Sequence, residues 1–165
     1  MIFYEEVLKA FQREKVKYVL VGGVALNLHG SLRGTADLDI LVEMSDGNLA
    51  NVVKVLKTQG YQVHQPVDPM GLADEKIRKE WILEKHMKAF NFYKDGGLEE
   101  VDIIIDSPLS FETARKDALR IKVGKLTLPV VSIDHLIRMK KGTGRAQDRL
   151  DVERLRLIKK LKRKA

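Results

Sequence analysis

The chain has 165 residues, 44% of them hydrophobic, with no cysteine and a formal net charge of +7. That length suffices for a buried core, and the lack of cysteine excludes a disulfide framework and any thiolate zinc site. No apolar run approaches the roughly 20 residues that span a bilayer, and Met1–Glu6 lacks the basic and apolar regions of a signal peptide, so a cytoplasmic protein with no membrane role is expected.

Phe3, Val7, Leu8 and Phe11 recur at helical spacing between charges, predicting an amphipathic helix over 2–14 that packs on a sheet. Tyr18–Val21 is a short, β-branched apolar run stopped by Gly22-Gly23, which reads as a buried strand. Val24–His29 continues as a helical turn closed by Gly30. A strand that passes through two glycines into a helix leaves backbone N–H groups free at the helix start, where the dipole is positive: a phosphate seat. His29 is expected to be a helix-end histidine near the negative pole, rather than a ligand or base.

Asp37-Leu38-Asp39-Ile40-Leu41-Val42 follows as a second strand. Residues two apart on a strand share a face, so Asp37 and Asp39 project together while Leu38 and Ile40 enter the core. Two carboxylates side by side on a buried strand repel one another and resist desolvation. A divalent cation relieves both costs, and Mg²⁺ is held by one or two carboxylates together with substrate phosphates.

Asp46–Thr58 is predicted helical, with Leu49, Val52, Val53 and Leu56 on one face and Gly60 as its stop. Tyr61–Val63 begins a strand and Pro66–Gly71 is a loop. Residues 72–85 read as a helix with Leu72, Ile77 and Trp81 as buried contacts, Trp81 serving the core rather than stacking on a base. Lys88–Tyr93, the turn at Lys94–Gly97 and Leu98–Ile105 form a hairpin. Its second strand carries Asp102 inside an apolar run, where a charge must be paired, metal-bound or at a sheet edge. Phe111–Leu119 is a short helix, and Ile121–Val131 a second hairpin turning at Gly124-Lys125. Ser132 caps a helix that carries His135, a first-turn surface residue, and reaches Lys140-Lys141 before Gly142-Thr143-Gly144.

Arg145 and Asp148 then open a last helix at about 146–165, with Val152, Leu155, Leu157, Ile158 and Leu161 assigned to the core. Residues 138–165 hold 12 Lys/Arg and 3 Asp/Glu, a net of +9, so the remainder is at −2. This basic segment is either a solvated helix end or a surface for the phosphate backbone of RNA. Composition and periodicity alone give one α/β-type domain over 1–165.

Gly22-Gly23 followed by Asp37-x-Asp39 between apolar residues resembles the signature of the DNA polymerase β-like nucleotidyltransferases. Arg33-Gly34-Thr35-Ala36-Asp37-Leu38-Asp39 resembles the small prokaryotic branch that includes the AbiEii-like toxin nucleotidyltransferases, as does the lysine–arginine–aspartate segment at 140–148. The resemblance implies an α+β fold, a mixed sheet flanked by helices. It also implies transfer of a nucleoside monophosphate from an NTP such as ATP to a hydroxyl of tRNA, a protein or a small molecule. Asp37 and Asp39 would hold one or two Mg²⁺ ions, with Mn²⁺ as the substitute, and Asp102 would be the third metal-site carboxylate, with Asp106 and Glu100 as fallbacks. Gly22 and Gly23 would cradle phosphates. Arg33 and Thr35 precede the acidic strand, Arg33 as a phosphate contact. Lys140 or Lys141 would meet the triphosphate, with Asp148 holding Arg145 or the lysine.

Many relatives carry serine where this chain has Gly23, and no large acceptor-binding domain is present, which counts against a template polymerase or a multidomain tRNA-maturing enzyme. A minimal transferase or a toxin with a cognate antitoxin protein is compatible with this. Two other readings stand beside it: a silent or partner-dependent nucleotide-binding protein of a toxin–antitoxin pair, and an antibiotic-modifying nucleotidyltransferase.

Overall fold

The short apolar runs of the sequence pair into one mixed sheet of seven strands among the described residues. The computed structural model describes residues 4–165. In chain order these form α1 (Glu5–Arg13), β1 (Tyr18–Val21), α2 (Gly22–Leu28), β2 (Asp37–Val42), α3 (Asp46–Thr58) and β3 (Tyr61–Val63). A 3₁₀ turn (Pro69–Ala73), α4 (Glu75–Leu83), β4 (Ala89–Lys94), β5 (Glu100–Ile104) and α5 (Phe111–Lys116) follow. The chain then gives β6 (Leu119–Val123), β7 (Leu126–Val130), α6 (Ile133–Lys140) and α7 (Ala146–Lys164). Among the described residues no helix is long and apolar enough to cross a membrane.

The strand order is β3-β4-β5-β2-β1-β7-β6. β2 runs parallel to β5 and β1 parallel to β7, while the other neighbours are antiparallel. Alternation sorts the two faces. Leu38, Ile40, Phe90, Phe92, Val101 and Ile103 are buried. They share one apolar core with Val7, Leu8 and Phe11 of α1 and with Leu49, Val52, Val53 and Leu56 of α3. The opposite face of β2, β5 and β4 presents Asp37, Asp39, Glu100, Asp102 and Asn91, all half-buried. A period of two therefore places the acidic residues on one open face because their neighbours fill the core.

The predicted elements are found with shifted ends. Helix α1 is amphipathic as expected, and Phe3 of its predicted span lies outside the described residues. The predicted helix at 72–85 is split into the 3₁₀ turn and α4, because the Asp74 carboxylate accepts from the N–H groups of Lys76 (2.9 Å) and Ile77 (3.1 Å) and starts a new helix. Leu72 and Trp81 are buried, Trp81 against Phe90 with ring centroids 5.3 Å apart, but Ile77 is exposed. Helix α5 stops at Lys116 because Leu119 is already paired with Val130.

The larger correction is in α7. Val152 and Leu155 are buried, whereas Leu157 and Leu161 are 58% and 59% exposed. Residues two apart on a helix stand about 200° from each other, so Leu155 and Leu157 cannot both face the core. The face that is buried runs through Asp148, Asp151, Val152 and Leu155.

Candidate active site

The end of β1 and the start of β2 meet at Gly22. Its φ is +69°, a conformation that costs an L-residue roughly 1–2 kcal/mol, and a Cβ there would lie 2.0 Å from Asp39 Oδ2. A Cβ on Gly23 would lie 2.6 Å from Thr35 Oγ1. The two glycines thus let the turn rest directly on the acidic strand and on the loop before it. The hydroxyl beside Gly23 belongs to Thr35.

Asp37 and Asp39 share the open face of β2, and the parallel register sets Asp102 of β5 opposite Asp39. The Asn91 amide donates to Asp102 Oδ1 at 2.7 Å, which orients that carboxylate. Burial, then the charge and hydrogen bond of Asp102, then Asp37, push the Asp39 carboxyl up to about 7, against the opposing pull of Lys140. Burial and the Asp102 charge raise Asp37 as well. Carboxylates set this close hold protons above their ordinary range because they cannot all stay charged without a cation. Among the described residues no three His, Cys, Asp or Glu side chains close into a ready-made ion cage. Mg²⁺ does not need one, since it keeps waters and takes phosphate oxygens as ligands.

A cleft of about 760 Å³ opens over these carboxylates. Gly22, Gly23, Arg33, Thr35, Lys140, Arg145 and Asp148 line it with the three aspartates. Arg33 is fixed through its backbone: its carbonyl accepts from Asn27 Nδ2 (2.7 Å) and its N–H donates to Asn27 Oδ1 (3.1 Å). Lys140 is buried at the end of α6, with Nζ 3.4 Å from Asp148 Oδ1. Asp148 Oδ2 accepts from Arg145 Nε and from Thr143 Oγ1, both at 2.8 Å. Asp148 therefore holds both the arginine and the lysine. These contacts outweigh its partial burial and keep its carboxyl below the ordinary range. Lys141 is exposed and lines a separate crevice beside Gly142, Arg149 and Arg156. Of the two lysines the sequence could not separate, the structure brings Lys140 to the cleft.

Asp106 also lines the cleft and pairs with Lys88, while Glu100 stands beside Asp37 in the register, 3.5 Å from His64, and outside the cleft. His29 is wholly enclosed. Its Nε2 donates to the Val131 carbonyl at 2.6 Å, and burial pushes its pKa down, the reverse of the rise a helix C-terminus alone would give. His135 is half-buried with Nε2 3.6 Å from Asp117 and stands apart from the cleft. Sequence reasoning missed Asp151, which is fully buried and accepts from Arg33 and Lys140. The signal was there: on a helix, 148, 151, 152 and 155 fall on one face, so an aspartate that shares the face of Val152 and Leu155 is a core-facing charge in need of partners.

Three structures share this architecture. The lincosamide antibiotic adenylyltransferase LnuA, lincomycin-bound, aligns with a TM-score of 0.60 at 19% identity, over 92% of this chain and 93% of its own. The antibiotic-resistance factor ANT(2'')-Ia gives 0.60 at 14% identity, over 94% of this chain and 80% of its own. The same enzyme in complex with adenylyl-2''-tobramycin gives 0.59 at 12% identity, over 91% and 83%. At these identities the likeness is one of fold. Comparison with the curated proteins gives no match. The family described as "Nucleotidyltransferase of unknown function (DUF6036)" matches residues 2–164. With a match over nearly the whole chain, this protein belongs to that family of nucleotidyltransferases.

Proposed function

We propose that the protein transfers a nucleoside monophosphate from an NTP to an acceptor hydroxyl and releases pyrophosphate. The observation that carries this reading is the convergence of Asp37, Asp39 and Asp102 on a cleft that Arg33, Lys140 and Arg145 also line. Acid on one side and guanidinium or ammonium on the other is what a metal-bound triphosphate requires.

The donor set fits a divalent ion: three carboxylates, one of them held up to about 7 by its neighbours and burial, beside a turn with no side chain at Gly22. Asp37, Asp39 and Asp102 would hold Mg²⁺ or Mn²⁺, which supplies polarisation of the α-phosphate and screening of the leaving group. The chain's own residues do the rest. Gly22 and Gly23 admit phosphate oxygens to the backbone, and Arg33, Lys140 and Arg145 neutralise charge as pyrophosphate departs. Asp102, oriented by Asn91, takes the acceptor proton as the new oxygen–phosphorus bond forms and the bond between the α-phosphorus and the bridging oxygen breaks.

A small hydroxylated molecule as acceptor is the reading favoured by the neighbours, one named a lincosamide antibiotic adenylyltransferase and another found in complex with adenylyl-2''-tobramycin. Incubation with each α-³²P-labelled NTP and Mg²⁺ tests both levels, with tRNA, cell-extract protein, lincomycin and tobramycin as acceptors and Asp37→Ala as control. Label on a small molecule supports the antibiotic-type reading. Label on RNA gives the basic α7 a substrate role, and label on a protein identifies a partner-directed enzyme of the toxin–antitoxin kind. Metal-dependent NTP binding with no transfer to any acceptor would replace catalysis by a silent or partner-dependent role.

A further inference from the structure

A carboxylate removed from water is stable only when donors replace its hydration. Asp151 is fully buried on the core face of α7. Its Oδ2 accepts from Arg33 Nη1 at 2.7 Å and from Lys140 Nζ at 2.9 Å, and its Oδ1 accepts from Gln147 Nε2 at 3.0 Å. Arg154 Nη1 approaches Oδ1 at 3.6 Å. Arg33 lies in the loop before β2, 118 positions away in sequence, while Lys140 ends α6. Both cations line the cleft and Asp151 does not. One buried oxygen therefore joins two cations from distant elements and sets the distance between them.

We propose that Asp151 is a positioning residue that pre-assembles Arg33 and Lys140 into a single receptor for the terminal phosphates of a nucleoside triphosphate; this rests on the reading of the cleft as a nucleotide site. Stability does not explain the group, because a buried ion pair is commonly matched or bettered by apolar residues of similar volume, and Val152 and Leu155 already occupy this face. Charge does explain it. Arg33, Lys140, Arg145 and Arg154 surround two carboxylates, Asp148 and Asp151, so the network stays cationic with both carboxylates ionised. Without Asp151, Arg33 and Lys140 repel each other and the long side chains must be ordered by the ligand at the moment of binding. With it, that ordering precedes the ligand.

The test is calorimetric titration of ATP and of AMP, each with Mg²⁺, into wild-type protein, Asp151→Asn, Arg33→Gln and the double variant, with melting temperatures recorded. Asp151→Asn is expected to weaken ATP about tenfold, the scale of one charge-assisted hydrogen bond, and AMP less than about twofold. The losses in Asp151→Asn and Arg33→Gln should not add in the double variant, because both act on one contact. Equal losses for ATP and AMP that track the melting temperature, or no loss at all, would overturn the positioning role. Wild-type protein that binds no ATP would overturn the nucleotide reading itself. Should Asp151→Asn fail to fold, Asp151→Leu, which replaces the carboxylate by apolar volume, carries the same selective expectation and the same refutation.

Discussion

Asp39 and Asp102 face each other across the parallel β2–β5 pair, and each is half-buried on the open face of the sheet. Such a pair costs folding free energy in the metal-free protein, since like charges repel and burial strips their hydration. Asp39→Asn is therefore expected to raise the melting temperature of the metal-free protein while reducing transfer by about a thousandfold or more. Mg²⁺ should stabilise the wild-type protein, as any ligand of the native state does, by about 2.7 kcal/mol at a hundredfold excess over its dissociation constant. Thermal melts with and without Mg²⁺ check this. A variant that keeps the full Mg²⁺ shift would remove Asp39 from the metal site.

The glycine pair gives a second expectation. Gly23→Ser puts a Cβ 2.6 Å from Thr35 Oγ1, so it should lower both stability and transfer. Gly23→Ser combined with Thr35→Gly removes both the hydroxyl and the Thr35 Cβ, which would stand 2.9 Å away, and should restore part of both losses. Urea denaturation and turnover of the single and double variants read the coupling directly. Independent, additive effects would show that the contact does not shape the turn.

What the sequence disclosed and what it withheld follow from the range of the interactions involved. Asp37 and Asp39 were legible because a strand has a period of two, and Gly22-Gly23 because a strand cannot continue through them. Asp102 stood out as one charge in an apolar run, yet its place opposite Asp39 depends on a parallel pairing between strands about sixty residues apart, which no local pattern encodes. The choice between Lys140 and Lys141 was likewise invisible. Lys140 is the last residue of α6 while Lys141 already leaves it in an extended conformation, and the packing of α6 against α7 turns Lys140 inward onto Asp148 and Asp151. His29 caps the C-terminal end of α2 as expected, but its hydrogen bond to the Val131 carbonyl joins residues 102 apart in sequence, which no local pattern encodes.

That lysine choice is itself testable. Lys140 is buried against Asp148 and Asp151, whereas Lys141 is exposed and outside the cleft. Lys141→Ala should leave the KM for NTP within about twofold and the stability within about 0.5 kcal/mol of wild type. Lys140→Ala should raise that KM at least about tenfold and destabilise the fold by about 3 kcal/mol, because it leaves buried carboxylates short of a partner. Equal effects at the two positions would mean that the cleft does not receive the nucleotide at Lys140.

The enclosed His29 predicts a pH dependence of stability that does not involve the cleft. Its Nε2 is committed as donor to Val131, and Nδ1 is buried with no hydrogen-bond partner among the described residues. Burial holds its pKa below the ordinary value of 6.5, and the nearby Lys162 charge lowers it further. The folded protein thus binds the extra proton less readily than the unfolded chain. The stability contributed by neutral His29 is complete above the unfolded value and is lost as the pH falls below it. Between about pH 6.5 and pH 5, wild-type protein should lose stability faster than His29→Gln, by at most about 1.4 kcal/mol per pH unit, the limit for one proton. Urea titrations of both proteins across this interval measure the difference. Parallel curves would show that His29 takes up a proton as easily in the folded state as in the unfolded one, which its enclosure forbids.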